Sequence, residues 1–211
     1  NQIGMQGDLV IHAEYTVTES ALSVTYACRC DTDTYVNLTN HAYLNLSGAP
    51  WLNQTNQARA LSDHRFDLLG RGFLLSDEQS LPTGEMRAFA APLRYVPQDP
   101  EKDNIASPNE FAQGADHHIE VADNDRELKA MVHAYSHTTG IGLHVHSTSP
   151  GYQFYTGRFL TTPFEPKSGF CVETQYAPDA IHQASLYAPL LRANQTRTQT
   201  TVFQITSDAD L

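Results

Sequence analysis

Short runs of alternating apolar and polar residues follow one another along this 211-residue chain, and no long segment repeats with the helical period. Successive side chains of a strand point to opposite faces, so alternation marks a half-buried sheet. Leu9 to Val17 is β-rich and alternates in part. Ala21 to Cys28 alternates more cleanly, with Leu22, Val24 and Tyr26 opposite Ser23 and Thr25. The link Thr18-Glu19-Ser20 is of hairpin size. Similar runs cover Arg87 to Ala91, His117 to Ala122, Leu128 to Tyr135, Ile141 to Ser147, Phe154 to Gly157, Phe170 to Gln175 and Thr200 to Ile205. Many short strands with turn signals between them predict an all-β domain of the sandwich type. No stretch has the character of a domain boundary, so residues 1–211 are expected to form a single domain. Pro97 to Gly114, rich in Pro, Asp, Asn and Ser, predicts a surface loop bordering a site.

Two of these segments carry chemistry. Asn37-Leu38-Thr39-Asn40-His41-Ala42-Tyr43-Leu44-Asn45-Leu46 places a histidine among hydrogen-bonding neighbours. Read as a strand, it puts Asn37, Thr39, His41 and Tyr43 on one face and mostly apolar residues on the other. That face holds one group that titrates near neutrality. A lone strand histidine is more often structural than functional. In Phe170 to Gln175, Cys171, Glu173 and Gln175 share a face. Glutamate is depleted in strands and costly to bury unpaired. Glu173 is therefore expected to be ion-paired or catalytic, the plain alternative being a solvent-facing side chain.

Composition excludes several classes. The formal charge is −11, from 24 acidic and 13 basic residues, which argues against nucleic acid and against an anionic membrane surface. No apolar run approaches membrane-spanning length. The three cysteines, Cys28, Cys30 and Cys171, form no disulfide framework. A reducing compartment and a cytoplasmic location are expected. Among ten histidines, the pairs His144/His146 and His117/His118 have no carboxylate at an informative spacing, so no metal site is expected. No Gly-x-Ser-x-Gly nucleophile motif is present.

Five segments together resemble the aldose 1-epimerase, or galactose mutarotase, family. Asn37 to Gly48 is similar to the family's N-L-T-N-H-x-Y-F-N-L-x-G, with Leu44 in place of the aromatic. Leu81-Pro82-Thr83-Gly84-Glu85 resembles its I-P-T-G-E, and Gly114-Ala115-Asp116-His117 its G-x-D-H. Pro150 to Gly157 resembles P-G-x-Q-F-Y-T-G, and Gly169 to Gln175 with Pro178-Asp179 resembles G-x-x-x-E-T-Q followed by P-D. The five stand in the family's order along the whole chain. The resemblance implies a large twisted β-sandwich with a sugar site in a cleft on one face. It implies His41 as general acid, Glu173 as general base, and Asp116 and Gln153 as residues that hold sugar hydroxyls. The plain alternatives for the last two are a turn aspartate and a solvent-facing strand glutamine.

The residue types suit the chemistry the resemblance implies. Interconverting the anomers of a free hexose requires a base for the proton of the anomeric hydroxyl and an acid for the ring oxygen. The opened aldehyde rotates about C1–C2 and closes from its other face. A carboxylate and an imidazolium on opposite sides of the ring would serve, and no metal or other cofactor is needed. The expected partner is a small monosaccharide. Two other readings stand beside this one: a non-catalytic carbohydrate-binding protein of the same fold, and a hexose-phosphate epimerase using Arg158 and Lys167. His118, Arg158 and Tyr176-Ala177 depart from the family's usual residues, which bears on specificity more than on chemistry. The family's amino-terminal third carries an arginine and a further histidine that bind sugar, and no segment here matches them. The chain is therefore expected to be the family's carboxy-terminal two-thirds, its amino-terminal strands absent. A preceding segment or a second chain would supply the rest, unless it has been lost.

Overall fold

A computed structural model describes residues 7–48, 61–77, 79–89, 91–97, 114–122 and 127–208. The strands in chain order are β1 (Leu9–Val17), β2 (Ala21–Cys30), β3 (Thr34–Tyr35), β4 (His64–Leu68), β5 (Gly72–Ser76), β6 (Pro82–Ala88) and β7 (Leu93–Tyr95). They continue with β8 (Asp116–Glu120), β9 (Lys129–Ser136), β10 (Ile141–Ser147), β11 (Gly151–Tyr155), β12 (Cys171–Gln175), β13 (Leu190–Leu191) and β14 (Thr196–Ser207). Helix among the described residues is confined to two short 3-10 turns. No helix in them is long and apolar enough to cross a membrane.

A seven-stranded sheet runs β1-β2-β14-β10-β9-β4-β7, and a five-stranded sheet runs β12-β11-β8-β5-β6. Every pairing is antiparallel. The inner faces of the two sheets meet in one core, as the alternation requires. Val24, Phe66, Leu68, Val132, Leu143 and Val145 come from the first sheet. Phe73, Ile119, Tyr152, Phe154 and Val172 come from the second. The expected β-sandwich is the observed architecture.

The β1–β2 hairpin closes as predicted. The Thr18 N–H donates to the Ala21 carbonyl at 2.8 Å, and the Thr18 hydroxyl accepts from the Ala21 N–H at 3.1 Å. Nine consecutive residues of β1 are exposed, so this edge strand is covered on neither face. Several strands differ from expectation. Of the described residues in the run expected from Arg87 to Ala91, only Arg87 and Ala88 are strand, the end of β6, which starts at Pro82. β11 begins at Gly151 rather than Phe154. β4, β5 and β7 were not expected at all. Of the loop expected from Pro97 to Gly114, residues 98–113 lie outside the described residues.

The main correction concerns Asn37 to Leu46, which is not a strand. Its backbone makes one isolated bridge, Leu44 to Phe170, with N–H···O distances of 2.8 and 2.9 Å. Asparagine side chains take the place of a ladder. Asn37 donates to the Tyr176 carbonyl at 2.9 Å and accepts from the Tyr176 N–H at 3.0 Å. Asn45 donates to the Ser168 carbonyl at 2.9 Å. An amide side chain carries the same donor and acceptor as a peptide group. The two asparagines thus clip the segment along β12, one beyond each end of that strand.

A buried polar knot anchors the far end of this segment. The Leu46 N–H donates to Nε2 of fully buried His64 at 3.0 Å, while His64 Nδ1 lies 2.8 Å from Asp63. The imidazole is thereby neutral with its proton on Nδ1, and burial lowers its pKa against the pull of Asp63. Asp63 also accepts from the hydroxyls of Ser47 and Ser136. Burial opposes its ionisation, but these hydrogen bonds and His64 outweigh it and hold the carboxyl well below the usual carboxylate range. A carboxyl with a depressed native pKa contributes stability above its unfolded value of about 3.9 and loses it as pH falls below that value. Asp63→Asn is therefore expected to lower Tm most at neutral pH. The gap from the parent protein should narrow below about pH 4, as thermal melts across pH would show. A gap independent of pH would mean that the carboxylate charge is not what matters.

Candidate active site

The outer face of β12, β11 and β8 carries the candidate residues Glu173, Gln153 and Asp116, and register lines them up. Glu173 pairs with Gln153, and Gln153 with His118. Cys171 pairs with Tyr155, and Tyr155 with Asp116. Alternation puts all six side chains on one face. The opposite face, with Val172, Phe154 and Ile119, is core. The clipped histidine segment lies along the free edge of β12 and brings His41 over this face. His41 Nε2 is 3.4 Å from Glu173 Oε1, and His41 Nδ1 is 3.3 Å from Cys171 Sγ. Tyr43 and Tyr155 flank the imidazole, with ring centroids 5.1 and 6.2 Å away.

His41 and Glu173 differ sharply in exposure, at 49% and 11% of the side chain. The imidazole is half exposed while the carboxylate is largely buried. Burial raises the pKa of Glu173. His41 pulls it down and the negative charge of Asp116 pushes it up, leaving it above the ordinary value. Burial likewise pushes the Cys171 thiol far up, with Glu173 adding to the effect, so the sulfur stays protonated beside His41.

Asp116 and Gln153 stand one strand further in. Gln153 Nε2 donates to Asp116 Oδ1 at 2.9 Å, and Arg158 Nη2 lies 3.5 Å from Asp116 Oδ2. Neither plain alternative holds: Asp116 is a strand residue and Gln153 is half-buried and bonded. Together with His117, His118 and Arg158 they line a cleft of about 200 Å³. Three residues of this cleft keep buried polar atoms without a hydrogen bond: Gln153 Oε1, Arg158 Nε and both ring nitrogens of His118. Burial lowers the His117 pKa to about 4 against the pull of Asp116, with Arg158 adding to the drop, so His117 is neutral near pH 7.

Three of the four residues singled out from sequence thus stand on one face of one sheet, and the fourth, His41, lies over it. One geometric expectation fails. His41 and Glu173, the expected acid and base, do not stand on opposite sides of a sugar-sized gap; they touch at 3.4 Å, and no pyranose ring fits between them. Tyr155 and Cys171 complete the surroundings of His41. Alternation from Gln153 and Glu173 would have placed both on the site face. Among the described residues no group of three or more His, Cys, Asp or Glu side chains is arranged to hold a metal ion.

Comparison with known proteins gives the family. The aldose 1-epimerase family model matches residues 2–204. The chain belongs to the aldose 1-epimerase family. It is 34% identical to the galactose mutarotase of Homo sapiens over 218 residues, covering 95% of this chain and 58% of that protein. It is 24% identical to the aldose 1-epimerase of Escherichia coli K12, covering 97% of this chain and 61% of that protein. The chain therefore spans about 58% of the length of the galactose mutarotases it matches. A solved GalM/aldose epimerase homologue from C. elegans superposes with a TM-score of 0.78 at 20% identity, over 97% of this chain and 62% of that one. A galactose 1-epimerase structure from Lactobacillus acidophilus gives 0.72 at 19% identity, over 95% and 58%. At these identities the superpositions speak for the fold.

Proposed function

We propose that the protein carrying this chain interconverts the α and β anomers of a free hexose, with Glu173 as base and His41 as acid. The observation that carries the reading is their contact across the β12 edge, beside a cleft lined by Asp116 and Gln153. The anomeric oxygen and the ring oxygen of a pyranose are bonded to the same carbon. Two groups in contact can therefore address both oxygens from one edge of the sugar, and no gap the width of a ring is needed. Glu173 takes the proton of the anomeric hydroxyl, and His41 gives one to the ring oxygen as the C1–O5 bond breaks. After rotation about C1–C2 the same two groups run the steps in reverse. Asp116 and Gln153 hold hydroxyls farther along the ring.

The raised pKa of Glu173 fits a base that works near neutrality. It sets the sign of the pH dependence. The base is lost as pH falls through a value above the ordinary carboxylate range, so the acid limb of kcat/KM should lie above that of an unperturbed carboxylate. An acid limb at or below about pH 4.3, the ordinary glutamate value, would exclude Glu173 as the base.

Freshly dissolved α-glucose and α-galactose supply the direct test, with the decay of optical rotation followed by polarimetry. Acceleration over buffer is expected. Sugar binding by calorimetry with no acceleration would favour the carbohydrate-binding reading. Glucose 6-phosphate belongs in the same series. Asp116 and Asp77 both line the cleft, and Arg158 is already paired to Asp116, so a phosphorylated sugar should be the poorer substrate.

A further inference from the structure

Cys171 opens β12 and is fully buried, two residues before Glu173 on the same face of the strand. Residues so spaced stand roughly 6.6 Å apart along a strand, and one imidazole lies across that span. His41 Nε2 is 3.4 Å from Glu173 Oε1, and His41 Nδ1 is 3.3 Å from Cys171 Sγ. The same strand therefore meets both nitrogens of the ring. Leu44, three residues past the histidine, is tied by its backbone to Phe170, the residue before Cys171. Neighbouring residues thus pin the backbone of the histidine segment and touch its imidazole. Tyr43, tilted at 37°, and Tyr155, edge-on at 74°, pack against the ring itself.

The two nitrogens have different tasks. Nε2 faces the base, and in the hexose reading above its proton passes to the ring oxygen. Its contact with Glu173 has to change as the sugar enters and charge moves. The contact at Nδ1 can persist. An imidazole that gives up its Nε2 proton as an acid keeps the proton on Nδ1, and that proton faces Sγ. A thiol serves Nδ1 in either direction: the sulfur accepts from an N–H, and the S–H donates to a bare nitrogen. Burial, with Glu173 adding to it, pushes the thiol far up, so it stays neutral while the charges beside it change. Cys171 is itself fixed by the sheet, paired with Tyr155 of β11, which pairs in turn with Asp116 of β8. A cysteine that only filled space beneath the ring would be replaceable by any side chain of its volume.

We propose that Cys171 is a positioning residue for His41: its sulfur holds Nδ1 and keeps Nε2 aimed at the ring oxygen of the sugar beside Glu173. The assignment rests on the hexose reading above and adds to it the group that steadies the acid.

The test compares the protein carrying this chain with its Cys171→Ser, Cys171→Ala and Cys171→Val variants by mutarotation kinetics, calorimetric Kd for glucose, and 15N NMR of the His41 ring without sugar. Cys171→Ala and Cys171→Val should each lower kcat by about tenfold, the loss of a catalytic group left poorly aimed. KM and Kd should stay at the parent values. Cys171→Ser, which keeps a donor and an acceptor at shorter reach, should recover part of kcat. The Nδ1 resonance of His41 should move in the alanine and valine variants and less in the serine variant. Should the alanine variant melt early, the valine variant, which fills the space, carries the comparison. Parent kcat in Cys171→Val, no recovery in Cys171→Ser, or an Nδ1 resonance unmoved by all three changes would overturn the proposal. The resonance is read without turnover. A parent protein that does not accelerate mutarotation would therefore sink the epimerase reading, while the resonance still decides whether Cys171 holds the ring.

Discussion

Replacing Glu173 by glutamine is expected to slow anomer interconversion by about 10²–10⁴-fold, the usual contribution of a positioned acid or base. That corresponds to roughly 3–5 kcal/mol of transition-state stabilisation. The amide keeps the shape of the side chain and can still hydrogen-bond, but it cannot take a proton. The loss should fall on kcat more than on KM. Folding should not suffer. Burial raises the Glu173 pKa, so its ionised form works against the folded state at neutral pH, and a neutral amide removes that penalty. Polarimetry with a thermal melt separates the two effects: a slow enzyme with an unchanged or higher Tm is the expected pair of results. A variant within tenfold of the parent rate would remove Glu173 from the role of base.

The largest expected effect on stability lies behind the site. Phe66 is fully buried between the sheets, edge-on to Phe154 and Phe170 at 5.0 and 4.8 Å, and stacked with Tyr95 and His64. Truncation to alanine leaves a cavity that rigid rings cannot fill by small shifts, so Phe66→Ala should cost about 3–5 kcal/mol. For a chain of this length that lowers Tm by roughly 6–20 °C. The damage should reach the site, because His64 stacks on Phe66 and holds the Leu46 amide below the histidine segment. Activity should therefore fall before global unfolding as temperature rises. A loss below about 1 kcal/mol in denaturant titration would mean that the aromatic cluster repacks around the gap.

Much of this was legible in the sequence, and the failures share a cause. β1 and β10 stand where the alternation put them, because exposed or half-buried strands with polar partners write their period plainly. β4, reading His-Arg-Phe-Asp-Leu, alternates too. Its buried members include a histidine whose burial makes sense only once Asp63 and Leu46 are seen around it, and no local pattern reports such partners. β5 reads Gly-Phe-Leu-Leu-Ser, buried over its first three residues, so it shows no alternation. The site was legible as a set of residues. Its geometry was not. The mid-strand appearance of His41 came from a run of asparagines whose donors and acceptors serve the flanks of β12, a role that periodicity cannot distinguish from an outward-facing polar row. The contact of His41 with Glu173 was equally hidden, since it joins residues 132 positions apart in the chain.

The asparagine clips have a consequence for how such a site can be tuned. Neighbouring strands are quantised: keeping the same side chains on the same face allows slips of two residues only, several ångströms at a time. Leu44 is tied to Phe170 by backbone hydrogen bonds, but the stretch before it, which carries His41, is held by a side-chain amide and escapes that rule. That stretch can be shifted by fractions of a residue through the rotamer of Asn37, while β12 and Glu173 stay fixed in their ladder. One half of the acid–base pair is thus set by the sheet and the other is adjustable against it. The distance between them can be trimmed finely without disturbing the register of any strand.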